Sequence, residues 1–290
     1  MPDIVIHVVA SALYAGLALH FWNTRWRAQS PRPAAAAGAA ASAAHGLLAW
    51  ERAAILLPLA LNGVVLYAEL FGRSELRFGF AYALSAMLWL AVLFYWLDSF
   101  FYDLDVMQPP ALALAALTVP LTALFPGRAT AGAYAASFEF RLHLVLAMLA
   151  YSLFTFAILH ALLMAAVERR LHRKDGAAGV TGASMGRLPP LLTLERLLFR
   201  LIGAAFLMLT LTLATGILFS ETLFGRAMRF DHKTVFAVLS WLTFGLLLAG
   251  RRFYGWRGRT ALRWTLSGFV LLILAYVGSR FVLEVVLQRA

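Results

Sequence analysis

Apolar residues fall in long runs at about 4–22, 53–71, 79–97, 109–126, 142–167, 197–220, 234–250 and 264–287, and the polar residues collect between them. The runs are continuous and do not alternate with period two, so they do not read as half-solvated strands. Each is roughly long enough to cross a ~30 Å hydrocarbon layer at 1.5 Å per residue. In such a layer every backbone N–H and C=O must be bonded within the protein, which an uninterrupted apolar run achieves as a helix. The pattern predicts an all-α fold: a polytopic transmembrane helix bundle of about eight helices, forming one integral membrane domain over residues 1–290. The run at 109–126 is short and contains Pro120.

Composition strengthens this reading. Hydrophobic residues make up 62% of the chain and charged residues 13%, with mean hydropathy +0.79. A soluble domain has about 45–50% apolar and about 25% charged residues, because it must cover its surface with polar groups. A lipid solvent lifts that requirement. The net charge of +11 sits in the gaps between apolar runs, which is the pattern of topology signals and headgroup contacts and not of a nucleic-acid face. Arg and Lys are concentrated in segments 23–52, 168–200 and 251–263. If these face the cytoplasm, both termini lie outside. The absence of cysteine excludes disulfides, thiolate zinc sites and covalent haem attachment on this chain. The first apolar run has no positive flank before it and reads as a retained helix.

Two linkers interrupt the pattern. Residues 28–44 are rich in Pro and Ala, and residues 172–188 are Gly-rich and basic, reading as a flexible cytoplasmic loop that splits the chain into five helices and three. After it, Pro189, Pro190, Thr193 and Glu195 form a plausible helix start.

The seven histidines are the main candidate chemistry, since a neutral imidazole can ligate a metal. The orientation puts His7, His143 and His232 near the outer surface, and His20, His45 and His172 near the inner one. His160 lies deeper, about 25 Å from His143 along the same helix. Any one of them can equally be an interfacial or packed side chain. Asn62, mid-helix, should bond another helix or line a cavity. Glu51 and Arg52 read as a solvated pair. Thr210, Thr212 and Thr215 can bond back to their own helix. Trp22, Trp26, Trp96, Trp256 and Trp264 fit an interfacial aromatic belt. No phosphate-binding loop, nucleophile elbow or zincin motif is present.

The C-terminal half carries LTLTLxTG (209–216), KTxxxxLSW (233–241) and GWRGR (255–259) in that order, preceded by HLVLAMLAYSLF at 143–154. Over about residues 50–286 the chain resembles the cytochrome c assembly protein family, in particular its CcsA-, ResC- and HemX-like members. The resemblance implies a multi-pass protein of the bacterial inner membrane that handles haem at the outer face through histidine ligands. His143 matches one outer histidine position of that family. The resemblance also shows differences. The outer loop 221–232 has no tryptophan, VVLQRA follows the last apolar run without a histidine, and Asn62 stands where relatives carry a helix-two histidine. The expected role is therefore a haem-handling or haem-sensing accessory in cytochrome c biogenesis, not a bond-forming enzyme. The expected haem-binding residues are His143, as an iron ligand, with Arg141 and Asn62. His232 is a second ligand on geometric grounds alone, and Arg226 and Arg229 are further propionate partners. Expected partners are membrane lipids, haem and other cytochrome c maturation proteins, with no nucleic acid. A haem-free structural or regulatory membrane protein of the same fold remains the alternative, and a small-molecule transporter a more distant one.

Overall fold

The structure, a computed structural model, describes residues 2–27, 47–70, 76–101, 108–127, 129–130, 137–172, 191–224 and 232–287. The linker 28–44, the loop residues 173–188, and Arg226 and Arg229 lie outside the described residues. So does His45.

The described residues form helices α1 (Pro2–Phe21), α2 (Ala49–Leu70), α3 (Phe80–Asp98), α4 (Gln108–Leu124), α5 (Phe138–His172), α6 (Leu191–Phe224), α7 (His232–Tyr254) and α8 (Gly258–Ile273). A π-helical turn Trp22–Arg27 extends α1, and α8 runs on through two π-helical stretches, Leu274–Gly278 and Val282–Val286. Seven helices are long and apolar enough to cross a membrane, while α4 at Gln108–Leu124 is shorter. Several helices run past their apolar cores. The run at 197–220 sits inside Leu191–Phe224, because the polar ends continue the helical hydrogen bonding beyond the hydrocarbon.

Large apolar side chains such as Leu117, Leu124, Val64 and Tyr67 are well exposed on the helix surfaces. In water this would be an aggregating surface; in lipid it is the solvated one. Inside, two cores form. One gathers Tyr14, Ile55, Leu59, Tyr95 and Leu112 from α1 to α4, and the other gathers Phe154, Ile202, Leu209, Phe244 and Leu272 from α5 to α8 together with Met87 of α3. Helix α1 packs on α4 and α2, α4 on α3, α3 on α5, α5 on α6, and α8 on α7 and α5. The 172–188 segment therefore divides the chain but not the packing, since α5 and α6 on either side of it are the most extensively paired helices. Five-plus-three is not the structural division: helix lengths set the segments, whereas side-chain fit sets the neighbours.

Because lipid tails are as apolar as leucine, polar bonds help to tie the helices together. Ser11 Oγ donates to Ala116 O at 2.8 Å, Trp89 Nε1 to Leu59 O at 2.7 Å, Tyr151 Oη to Leu272 O at 2.8 Å and Ser240 Oγ to Gly268 O at 2.9 Å. Phe154 and Phe244 stack at 3.8 Å between centroids. At the predicted outer end, Leu76–Arg77 pairs antiparallel with Ala129–Thr130. Gly127 turns the chain there with φ +67°, and a Cβ on it would come within 2.9 Å of Gly79 N. Only glycine meets both demands.

Candidate functional site

The head of α5 places the main candidate. Ser137 caps the helix: its hydroxyl accepts from Phe140 N at 3.3 Å and its carbonyl from Arg141 N at 3.2 Å. Glu139 lies in the first turn, where the helix dipole favours a negative charge. His143 follows in the second turn, half-buried against α6. Its Nδ1 is 3.0 Å from Thr215 Oγ1, and the Thr212 carbonyl is a further hydrogen-bond partner of the ring. Gly216 lets the ring lie this close, because a Cβ there would sit 3.2 Å from His143 Cε1. Among the described residues, Nε2 makes no hydrogen bond. Arg141 is half-buried two residues earlier and makes no ion pair among the described residues.

The other candidates lie apart from it. Asn62 is 2% exposed and faces α3, where Ser85 Oγ donates to its Oδ1 at 3.4 Å. The buried Tyr14 hydroxyl of α1 approaches the same amide. Asn62 thus belongs to the α1–α3 packing and shares no hydrogen bond with His143. His232 is exposed as the first residue of α7, and among the described residues no hydrogen bond or ring contact joins it to His143. His7 is buried on α1. His20 bonds Glu51 at 3.0 Å, beside the rings of Phe21 and Trp50. Glu51 is buried, not solvated, and also accepts from Leu48 N at 2.9 Å at the start of α2. Its sequence neighbour Arg52 reaches Ser99 O instead. His172 ends α5.

His160 is fully buried, and its Nε2 bonds the Leu194 carbonyl at 3.0 Å. Nearby, at the predicted inner end, Glu195 takes Arg251 and, at 3.5 Å, Arg257, while Arg259 lies 3.9 Å from Glu168. This is an ion-pair clamp across α5 to α8. Among the described residues no group of three His, Cys, Asp or Glu could hold a metal ion.

A haem would have to rest on a single imidazole from this set plus nearby cations. His143 offers such an imidazole: Nδ1 is tied to α6 and, among the described residues, Nε2 has no hydrogen-bond partner, while Arg141 stands two residues earlier on α5, about 200° around the helix. The sequence did not show Thr215 and Gly216 as neighbours of the His143 ring, or Ser85 as the partner of Asn62 with Tyr14 near it. The T-x-x-x-x-T-G spacing (210–216) was the available signal, because it puts polar or small groups along one stretch of α6.

A family model described as "Cytochrome C assembly protein" matches residues 49–287. The chain is 33% identical over 144 residues to "Inner membrane protein YpjD" of Escherichia coli (strain K12), covering 50% of this chain and 52% of that protein. It is 37% identical over 148 residues to "Uncharacterized 28.8 kDa protein in nifR3-like 5'region" of Azospirillum brasilense, with 50% and 52% covered. It is 33% identical over 95 residues to "Cytochrome c biogenesis protein CcsA" of Gloeothece citriformis (strain PCC 7424), with 33% and 29% covered. The chain spans about half the length of the first of these curated relatives. No solved structure matches. Among the described residues seven helices are long and apolar enough to cross a membrane, and with a relative named for the inner membrane this makes the chain a multi-pass inner-membrane protein.

Proposed function

The chain belongs to the cytochrome c assembly protein family, and from that premise we propose that it handles or senses haem at the outer face of the membrane as an accessory of cytochrome c biogenesis. The observation that carries this is the His143 imidazole, tied to α6 through Nδ1 and, among the described residues, without a hydrogen-bond partner at Nε2. Haem, when bound, would supply an iron centre that takes a neutral imidazole. His143 would provide that imidazole, and the Arg141 guanidinium would pair a propionate. His232 is a candidate second ligand from the head of α7. Asn62 would act indirectly, by fixing α2 against α3. The proposed role is retention and presentation of haem.

In this reading both termini lie outside and the Glu195 clamp faces the cytoplasm. Topology reporters fused after residues 180 and 255 should both report cytoplasm; a periplasmic signal from either would overturn the orientation. Ligation needs the neutral ring, because a protonated imidazole has no lone pair to give. Haem affinity should therefore be present at neutral pH and fall on acidification. The direct test is the absorption spectrum of the detergent-purified protein with and without added haem. A shifted Soret band on addition supports the proposal.

A second reading, a haem-free structural or regulatory membrane protein, is favoured by one observation. Asn62, where the family resemblance implies a histidine, is buried and bonded by Ser85. An unshifted Soret band would select it.

A further inference from the structure

The Thr215 hydroxyl has one proton and three polar neighbours. Leu211 O lies at 2.8 Å, Thr212 O at 3.1 Å and His143 Nδ1 at 3.0 Å. The two carbonyls can only accept. If the hydroxyl donated to the imidazole, both carbonyl oxygens would face Oγ1 with no proton between them. The opposite arrangement satisfies every group: Thr215 donates to its own helix and its lone pair accepts an Nδ1–H proton. Thr212 O also lies near the ring.

The same helix repeats this arrangement where the direction is not in question. Thr210 Oγ1 is 2.8 Å from Phe206 O and 2.9 Å from Trp241 Nε1. An indole N–H only donates. Thr210 must therefore accept from the ring while donating to the carbonyl four residues back. Thr215 stands in the same relation to His143 and to Leu211.

We infer that Thr215 is a positioning residue. It holds His143 in the Nδ1–H tautomer, with Nε2 as the lone-pair atom offered to a metal. The inference rests on the proposed role of His143 as a haem ligand, and it names the group that decides which nitrogen ligates. Hydrogen bonds of this kind to the far ring nitrogen fix the tautomer and orientation of metal-binding imidazoles, and their loss typically weakens metal affinity by about 10–100-fold. Gly216 completes the seat by leaving room for Cε1. His160 is held the other way round, since its Nε2 must donate to Leu194 O.

The test uses the full chain in detergent, labelled with ¹⁵N-histidine and free of haem. Long-range ¹H–¹⁵N correlations report the tautomer of each ring, and His143→Asn identifies the signals of His143. The parent should show the Nδ1–H tautomer at His143. Thr215→Val, equal in shape without the hydroxyl, should give a mixture of tautomers and bind added haem roughly 10-fold more weakly. Thr215→Ser should restore both properties. An Nε2–H tautomer in the parent would overturn the inference without any variant having to fold. An unchanged tautomer and haem affinity in Thr215→Val would overturn it too. The tautomer is read without haem, so a protein that proves haem-free loses the proposed function while this assignment is judged on its own spectrum.

Discussion

His143 and His160 stand on one helix and both face α6, yet they are opposite kinds of site. At the head of α5, the His143 ring is half-buried, tied by Nδ1 to a hydroxyl, and keeps Nε2 unpartnered. About 25 Å further along, His160 is fully buried, tied by Nε2 to a backbone carbonyl, beside the Glu195 ion pairs. The first can ligate from the edge of the bundle. The second is sealed inside and works as a strut between α5 and α6. The difference is made by α6 and not by the histidines: a Thr-x-x-x-x-Thr-Gly stretch opens one seat, and a leucine carbonyl closes the other. Residue type alone could not have ranked them.

The two ends should break apart under mutation. The largest effect is expected at the strut end. Glu195→Gln leaves Arg251 without its carboxylate, and should cost roughly 2–4 kcal/mol, the lower figure if the partly exposed guanidinium turns to solvent. Thermal unfolding in detergent should show the lowered midpoint, while haem affinity stays near the parent's. A smaller loss, about 1–2 kcal/mol, is expected for His160→Leu, which removes one buried hydrogen bond but leaves Leu194 O to its own helix. Haem titration of that variant should match the parent; a tenfold loss would show that the ends are coupled.

Gly216→Val acts at the other end. Its Cβ would start 3.2 Å from His143 Cε1, so the ring must move off its seat. The expected outcome is haem binding weakened about tenfold, or about 1.4 kcal/mol, with little change in the unfolding midpoint. The smallest effect should come from Gly203→Ala on the same helix, where an added Cβ meets nothing within 4 Å. Helix propensity alone should then stabilise the protein by up to about 1 kcal/mol and leave haem affinity unchanged. Equal effects of the two glycine changes on haem would remove Gly216 from the site.

The bundle was legible in the sequence because lipid imposes so simple a rule: long apolar runs must be helices. Neighbours were not legible. The tie between His143 and Thr215 spans 72 residues, and the threonines at 210, 212 and 215 mark polar groups on α6 without saying which helix they meet. Glu51 reads as a surface charge beside Arg52, yet it is buried under His20 because the α1 and α2 ends converge there. Asn62 could be read as polar glue from its depth alone, but its partner Tyr14 lies in α1, before the stretch that matches the family. His143 was legible as a candidate through resemblance; its orientation required the fold.

The proposed haem ligand is His143 and not His160. The most direct measurement is a haem titration followed at the Soret band for the parent, His143→Ala and His160→Leu, each repeated with free imidazole. The parent and His160→Leu should bind alike. His143→Ala should lose the shifted band and regain it when imidazole fills the vacated position. A Soret titration of His143→Ala that superimposes on the parent's, with or without imidazole, would contradict the account.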